Sequence, residues 1–426
     1  MTVPPVEIEI TGVGAGGDGL ARLPGGTPCF VPRSLPGEVL RARPGARRGE
    51  GVLAEPEALL RPSPERVPPP CPHFAAGCGG CTLQHWAEAP QAAWKRRRVV
   101  DGLTRAGFPD APVAETCTTP PGRRRRADLA LRRTAEGIVL GFHLAGGPRV
   151  LDLAACPVLD PCLAALFVPL RAMLHRLPAL QRQGSAVLNL LETGPDLLLR
   201  TDAALDAAGR AMLAAFAADH GIPRIAWAKN AGAPEVAAQL GPATIRFAGI
   251  PVSPPPGAFL QASPEGEAAI TEAVLAALPE RLPARARIAE LYAGVGTLTF
   301  PLAMRARVAA FEGSAEAVAA LATAARQAGA QVDAARRDLA RQPLLAKELA
   351  RFAAVVLDPP YAGAAEQMTL VARARVPAVV YVSCNPAALA RDAKALAATG
   401  YRVRLAVPVD QFRWSTHVEA VVGFSL

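Results

Sequence analysis

Arg287-Ile288-Ala289-Glu290-Leu291-Tyr292-Ala293-Gly294-Val295-Gly296 reads as a short apolar strand with an acid near its end, followed by a Gly-x-Gly that opens a helix. Such a turn brings backbone N–H groups close to a polar ligand at the C-terminal edge of a parallel sheet. The same grammar continues downstream. Apolar runs at 308–311, 353–357, 378–382 and 401–407 alternate with helical stretches such as 315–327 and 386–398. Strands alternating with helices predict an α/β, Rossmann-like domain whose mostly parallel sheet is covered on both faces. The last run, 418–424, follows without a helix and is expected to add an antiparallel strand.

Glu312 ends the strand after the glycine turn, where a carboxylate can hold two ribose hydroxyls. Asp338 follows the third strand, where an acid can meet an adenine amino group. Two glycines fall short of the full dinucleotide fingerprint, and nothing provides for a second nucleotide, so S-adenosylmethionine fits better than NAD. Two further motifs lie downstream: Asp358-Pro359-Pro360-Tyr361 and Ser383-Cys384-Asn385-Pro386, the latter at a strand end. His417-Val418-Glu419 closes the series. A lone cysteine beside an apolar run is more often core than catalytic; here the combination points to a thiolate nucleophile. Uracil C5 becomes nucleophilic only after something adds at C6, which a cysteine does. The C5 proton must then be removed, with Glu419 the candidate base and His417 its assistant. Asp358 is placed to hydrogen-bond the base edge or the cofactor. A target carbon stacked in folded RNA requires an unpaired or flipped nucleotide.

The 426 residues suffice for two or three domains, and no apolar run is long enough to span a bilayer. The start, Met1-Thr2-Val3-Pro4-Pro5, has no secretory pattern, so a cytoplasmic protein is expected. Net charge is +9, and residues 95–133 hold eleven Lys/Arg against four acids, a footprint for nucleic acid. Residues 6–56 suggest a small β-barrel of short strands; prolines 62–70 form a linker, and 84–107 reads as a helix with a basic face. In a cytosolic chain, eight cysteines argue for metal or catalytic use. Cys71-x6-Cys78-x2-Cys81 is a metal signal needing a fourth ligand, with Cys156, Cys162, His73 and His85 as candidates. Spacing alone leaves zinc and iron–sulfur both open. Cys29 and Cys117 read as structural thiols.

Together these motifs resemble the RNA 5-methyluridine (uracil-C5) methyltransferases of class I. They are most similar to the bacterial 23S ribosomal RNA branch, which carries an N-terminal TRAM domain and a [4Fe-4S] cluster. The TRAM-like stretch runs from Gly19-Leu20-Ala21 through Phe30-Val31-Pro32 to Leu35-Pro36-Gly37-Glu38. The resemblance implies Cys71, Cys78, Cys81 and Cys156 as cluster ligands, and Cys384 and Glu419 as nucleophile and base. It implies Gln261 of Phe259-Leu260-Gln261, Tyr292, Thr297, Glu312, Asp338 and Asp358 as cofactor residues. It also implies a TRAM-like barrel at 1–60, a central α+β domain with the iron–sulfur segment at 61–250, and the methyltransferase domain at 251–426. A helical stretch near 93–121 is expected to pack on the last of these. RNA is the expected partner, 23S rRNA ahead of tRNA, with no membrane and a monomeric state. The chain departs from the family pattern at Ser263, Thr297, Arg413 and Tyr361. Tyr361 makes Asp-Pro-Pro-Tyr similar also to the motif of exocyclic-amine methyltransferases, the rival activity; those need no nucleophilic cysteine.

Overall fold

The structure, a computed structural model, describes residues 4–426. Residues 1–3, part of the expected 1–60 unit and of the start judged to lack a secretory pattern, lie outside the described residues. Three large sheets organise the rest.

The C-terminal sheet has eight strands, in the order Val332–Arg336, Arg307–Glu312, Arg287–Leu291, Ala354–Leu357, Ala378–Ser383, Glu419–Ser425, Arg402–Asp410 and Cys117–Thr118. The five strands from Val332–Arg336 to Ala378–Ser383 pair in parallel. Glu419–Ser425 enters antiparallel between Ala378–Ser383 and Arg402–Asp410, as its lack of a preceding helix predicts. Register decides what meets at the edge. Leu291 pairs with both Phe311 and Leu357, and Leu357 with Tyr381, so the residues just beyond these strands emerge side by side. Because the Glu419 strand runs the other way, its first residue arrives at that same edge, with Ala420 opposite Ser383.

The central strands are buried along their whole length, as a sheet with two covered faces requires. One face packs under the helices Glu88–Ala106, Ala365–Ala374 and Pro386–Ala397, through Leu103, Met368 and Leu389. The other packs under Pro264–Ala277 and Ala315–Ala328, through Ile270 and Leu321. Each fully buried side chain of this size contributes about 1.5–3 kcal/mol. Gly102 allows the first helix to close on the third: a Cβ there would stand 3.0 Å from the Pro386 carbonyl.

The middle sheet runs Glu235–Gln239, Arg224–Lys229, Gly194–Thr201, Gln183–Leu191, Arg126–Arg133, Ile138–Gly141, with one parallel pair. Its core includes Leu129, Leu170, Leu188 and Leu213, which seat the helices Phe167–Arg176 and Ala207–Asp219. The N-terminal sheet has six strands, with Val6–Glu9 at one end of the hydrogen-bonded order and Gly12–Val13 at the other.

Two strands of the C-terminal sheet escaped the apolar pattern. Val332–Arg336 and Cys117–Thr118 are edge strands with no fully buried residue, so neither carries an apolar run. The basic footprint at 95–133 needs correction. Lys95 is buried against Asp410, and Arg96 caps the carbonyls of Val113 and Ala114. Arg98 reaches the Thr416 carbonyl, Arg123 pairs with Glu265 and Arg125 with Glu267. Arg133 holds the carbonyls of Leu174, Leu177 and Leu180. Much of that charge braces the fold instead of forming an open cationic face.

Candidate active site

The glycine turn is strained in the way a close ligand approach requires. Tyr292, the first residue past its strand, has φ 65°, a left-handed conformation uncommon for a side chain of this size. Gly294 (φ 57°) and Gly296 (φ 106°) continue the turn, and a Cβ on Gly296 would lie 2.6 Å from the Phe300 ring. Glu312 closes the turn from the neighbouring strand: its carboxylate accepts from Gly294 N at 2.9 Å and Ser314 N at 2.8 Å. Asp338, after the outermost parallel strand, accepts from Ala340 N at 3.1 Å and remains largely exposed. Beneath the turn, Glu290 is buried with its Oε2 lacking a hydrogen-bond partner, and burial pushes it up to about 8. A cradle with the Glu312 carboxylate, open Gly294 and a buried carboxyl oxygen beneath it suits a polar, cationic ligand. Thr297 directly follows the turn and lines a cavity beside Pro264–Ala277, with Glu267 and Thr271.

Asp358, Cys384 and Glu419 meet one strand further along the edge. Asp358 follows Ala354–Leu357, Cys384 follows Ala378–Ser383, and Glu419 begins its own strand. Gln261 Nε2 donates to Asp358 Oδ2 at 3.1 Å. Gln411 Nε2 donates to Gln261 Oε1 at 2.7 Å and to Glu419 Oε2 at 3.1 Å, while Gln411 Oε1 accepts from Ala262 N at 2.9 Å. Gln261, Gln411 and Glu419 are all buried. Burial, then the Asp358 carboxylate, raises Glu419 to about 8 against the opposing Gln411 hydrogen bond. Burial likewise raises Asp358, to about 6, against Gln261.

Cys384 stands just ahead of the helix Pro386–Ala397, whose N-cap is Asn385. A helix N-terminus favours a thiolate. Here burial dominates, with the Glu419 and Asp358 carboxylates adding to it, and the thiol is pushed up to about 12. These effects favour the neutral thiol at Cys384. Asn385 Nδ2 holds the Tyr361 carbonyl at 3.1 Å. The Tyr361 ring, exposed, meets His417 edge-on at 5.9 Å, and Phe412 flanks His417 at 5.8 Å. His417 is thus part of an aromatic wall, and its pKa is lowered by burial, with Arg98 and Lys95 adding to the effect.

Several residues of this site carried no separate sequence signal. Gln411 lies in the same run as His417 and Glu419, and an amide at a strand end between an acid and an aromatic was the available clue. Arg125 donates to the Gln261 carbonyl at 3.0 Å and pairs with Glu267, fixing the Phe259–Gln261 segment. Asp392 is buried and accepts from Tyr381 Oη at 2.7 Å and Ala364 N at 2.6 Å, tying the helix after Cys384 to the loop after Asp358.

Cys71, Cys78, Cys81 and Cys156 line one cavity of ≈ 280 Å³, together with Arg124 and Arg126. Cys162 is exposed at another helix start. His73 Nδ1 lies 3.7 Å from Cys71 Sγ, and His85 is stacked on Phe74. Among the described residues, no three His, Cys, Asp or Glu side chains stand close enough to hold a metal ion. No helix among them is long and apolar enough to cross a membrane.

A family model described as tRNA (Uracil-5-)-methyltransferase matches residues 258–425, the segment that holds the site. An uncharacterized RNA methyltransferase of Caulobacter vibrioides is 40% identical over 98% of this chain and 99% of its own. The 23S rRNA (uracil(1939)-C(5))-methyltransferase RlmD of Chromohalobacter salexigens is 35% identical over 95% of this chain and 86% of its own. In structure, the Pyrococcus abyssi tRNA (uracil-54, C5)-methyltransferase in complex with S-adenosyl-L-homocysteine superposes with a TM-score of 0.73. That match covers 98% of this chain and 100% of the other at 23% identity, and shows the shared methyltransferase fold. With the thiol, the two carboxyls and the glycine turn gathered on one sheet edge, the chain belongs to the S-adenosylmethionine-dependent RNA uracil-C5 methyltransferases.

Proposed function

We propose that this protein methylates C5 of a uridine in 23S rRNA by covalent catalysis, with Cys384 as nucleophile and Glu419 as base. The observation that carries the reading is the convergence of Asp358, Cys384 and Glu419 on one sheet edge, linked through Gln261 and Gln411. Glu312 and Asp338 would hold the ribose and adenine of the cofactor, Tyr292 and Gln261 its remaining polar edge. When bound, S-adenosylmethionine supplies an electrophilic methyl group to C5. The Cys384 thiol passes its proton to solvent and its sulfur bonds to C6, moving the C5–C6 π pair toward the ring carbonyl. Asp358 holds the polar edge of the base. After C5 is methylated, Glu419 takes the C5 proton. The released pair restores the double bond, and the C6–S bond breaks to return the thiolate.

The four cysteines around one cavity are the residues that would hold a [4Fe-4S] cluster, as the family resemblance implies. Arg124 and Arg126 in the wall suit the negative charge of a thiolate-ligated cluster. The N-terminal sheet would act as the TRAM-like RNA-binding unit (1–60) and the middle sheet as the central domain (61–250), beside the catalytic domain (251–426). The protein would work as a cytoplasmic monomer.

Labelled methyl transfer to a 23S rRNA transcript, followed by nucleoside analysis, tests the reading. The expected product is 5-methyluridine, lost in Cys384→Ala. An N-methylated base, with Cys384→Ala still active, would replace it with the exocyclic-amine activity.

A further inference from the structure

The hydrogen-bond chain across the site has a fixed direction, set by one backbone amide. Ala262 N–H can only donate, so the Gln411 atom 2.9 Å away is the carbonyl oxygen. The NH2 of Gln411 then faces Gln261 Oε1 at 2.7 Å and Glu419 Oε2 at 3.1 Å, and both of its hydrogens are engaged. Gln261 Oε1 is thereby an acceptor, and its own NH2 must turn to Asp358 Oδ2 at 3.1 Å. Reversing either amide would set a carbonyl oxygen against a carboxyl oxygen in a buried site.

We infer that Gln411 is a positioning residue for the base: it holds Glu419 by Oε2, so that Oε1 is the oxygen that receives the C5 proton. The inference rests on the covalent reading above. An NH2 hydrogen pointing at Oε2 keeps that oxygen an acceptor in either protonation state, since a proton there would oppose the amide hydrogen. Gln411 also joins the base to Gln261 and Asp358, so one rigid array sets the base relative to the edge where the uracil sits. The chain has no branch through Cys384, whose attack on C6 does not require Gln411. The groups bearing on Glu419 are Asp358 and Cys384 from the adjacent strand ends and Gln411 from its own approach loop. Loss of Gln411 should therefore slow proton removal and release while sparing adduct formation.

The test compares wild type with Gln411→Leu on RNA carrying uridine or 5-deuterouridine, by rapid quench and by steady-state turnover. In Gln411→Leu, the methylated Cys384–RNA adduct should form within about threefold of the wild-type rate and its release slow about 10- to 100-fold, a fraction of what a positioned general base contributes. Adduct should accumulate on ordinary uridine, and turnover should acquire a primary deuterium isotope effect. Equal slowing of both phases without an isotope effect would reduce Gln411 to packing and overturn the inference. Gln411→Met, which keeps side-chain length without the amide, carries the same test if the leucine variant does not fold. Wild type on 5-fluorouridine RNA is the control: no adduct there sinks the covalent reading itself, while an adduct there with a silent Gln411 variant sinks only this inference.

Discussion

Lys95 Nζ stands 2.6 Å from Asp410 Oδ1 with its side chain fully withdrawn from solvent, and the same ammonium donates to the Phe412 carbonyl at 3.2 Å. A lysine on the helix Glu88–Ala106 thus holds both neighbours of Gln411, Asp410 by its carboxylate and Phe412 by its backbone carbonyl. Burial lowers the lysine pKa, with Asp410 opposing it. Removing one partner of such a pair strands the other charge, whereas removing both does not. Lys95→Met should cost about 3–5 kcal/mol in urea unfolding, and the double variant Lys95→Met/Asp410→Asn should recover most of the loss. A single-variant cost near zero would contradict the anchoring role.

The raised Glu419 predicts proton-linked cofactor binding. Held up at about 8 by burial and Asp358, it is mainly neutral at pH 7. A cationic sulfonium favours the ionised carboxyl, so binding expels a proton. The ionised form binds more tightly, so affinity for S-adenosylmethionine should rise between pH 6.5 and about 8 and level off above, by up to about tenfold per pH unit. Calorimetry in buffers of different ionisation enthalpy reads the proton directly. A pH-independent affinity, or a slope unchanged in Glu419→Gln, would refute the assignment.

Tyr361 is 59% exposed, yet its carbonyl is pinned by Asn385 next to Cys384. An aromatic ring left uncovered there suits stacking on a nucleobase. Tyr361→Ala should raise KM for RNA by about tenfold, within the 1–3 kcal/mol that base stacking contributes, with kcat changed little. A fall in kcat at constant KM would place the ring in the chemical step instead.

Cys156 lines the cysteine cavity and Cys162 does not. Purified anaerobically, the wild-type chain should carry about four irons per chain with thiolate-to-iron absorption. Cys156→Ala should lose both, and Cys162→Ala should keep both. The cavity wall includes Phe412, Arg413 and Ser415, so Cys156→Ala should also loosen the approach to Glu419. Zinc at one per chain would replace the cluster.

How much was legible in the sequence follows from what each element depends on. The buried strands declared themselves as apolar runs, because both faces of the sheet are covered. The thiol and the two carboxyls were legible because strand ends in a parallel sheet converge by register. Val332–Arg336 was not, being an edge strand without an apolar run. The fates of Lys95, Arg98 and Arg125 were illegible for another reason. Their partners are Asp410, the Thr416 carbonyl, Glu267 and the Gln261 carbonyl, far away in the chain, so local charge density read as an open surface. Gln411 gains its meaning only from the Ala262 amide, 149 residues away.

The central claim is that Cys384 bonds to C6 of the target uridine. The most direct measurement is mass spectrometry of the protein after incubation with 5-fluorouridine-substituted 23S rRNA and S-adenosylmethionine. Fluorine at C5 leaves Glu419 no proton to remove. The account predicts a denaturant-stable, methylated RNA adduct on the peptide containing Cys384, absent in Cys384→Ala. Methyl transfer to ordinary RNA without any adduct on the fluorinated RNA would contradict it.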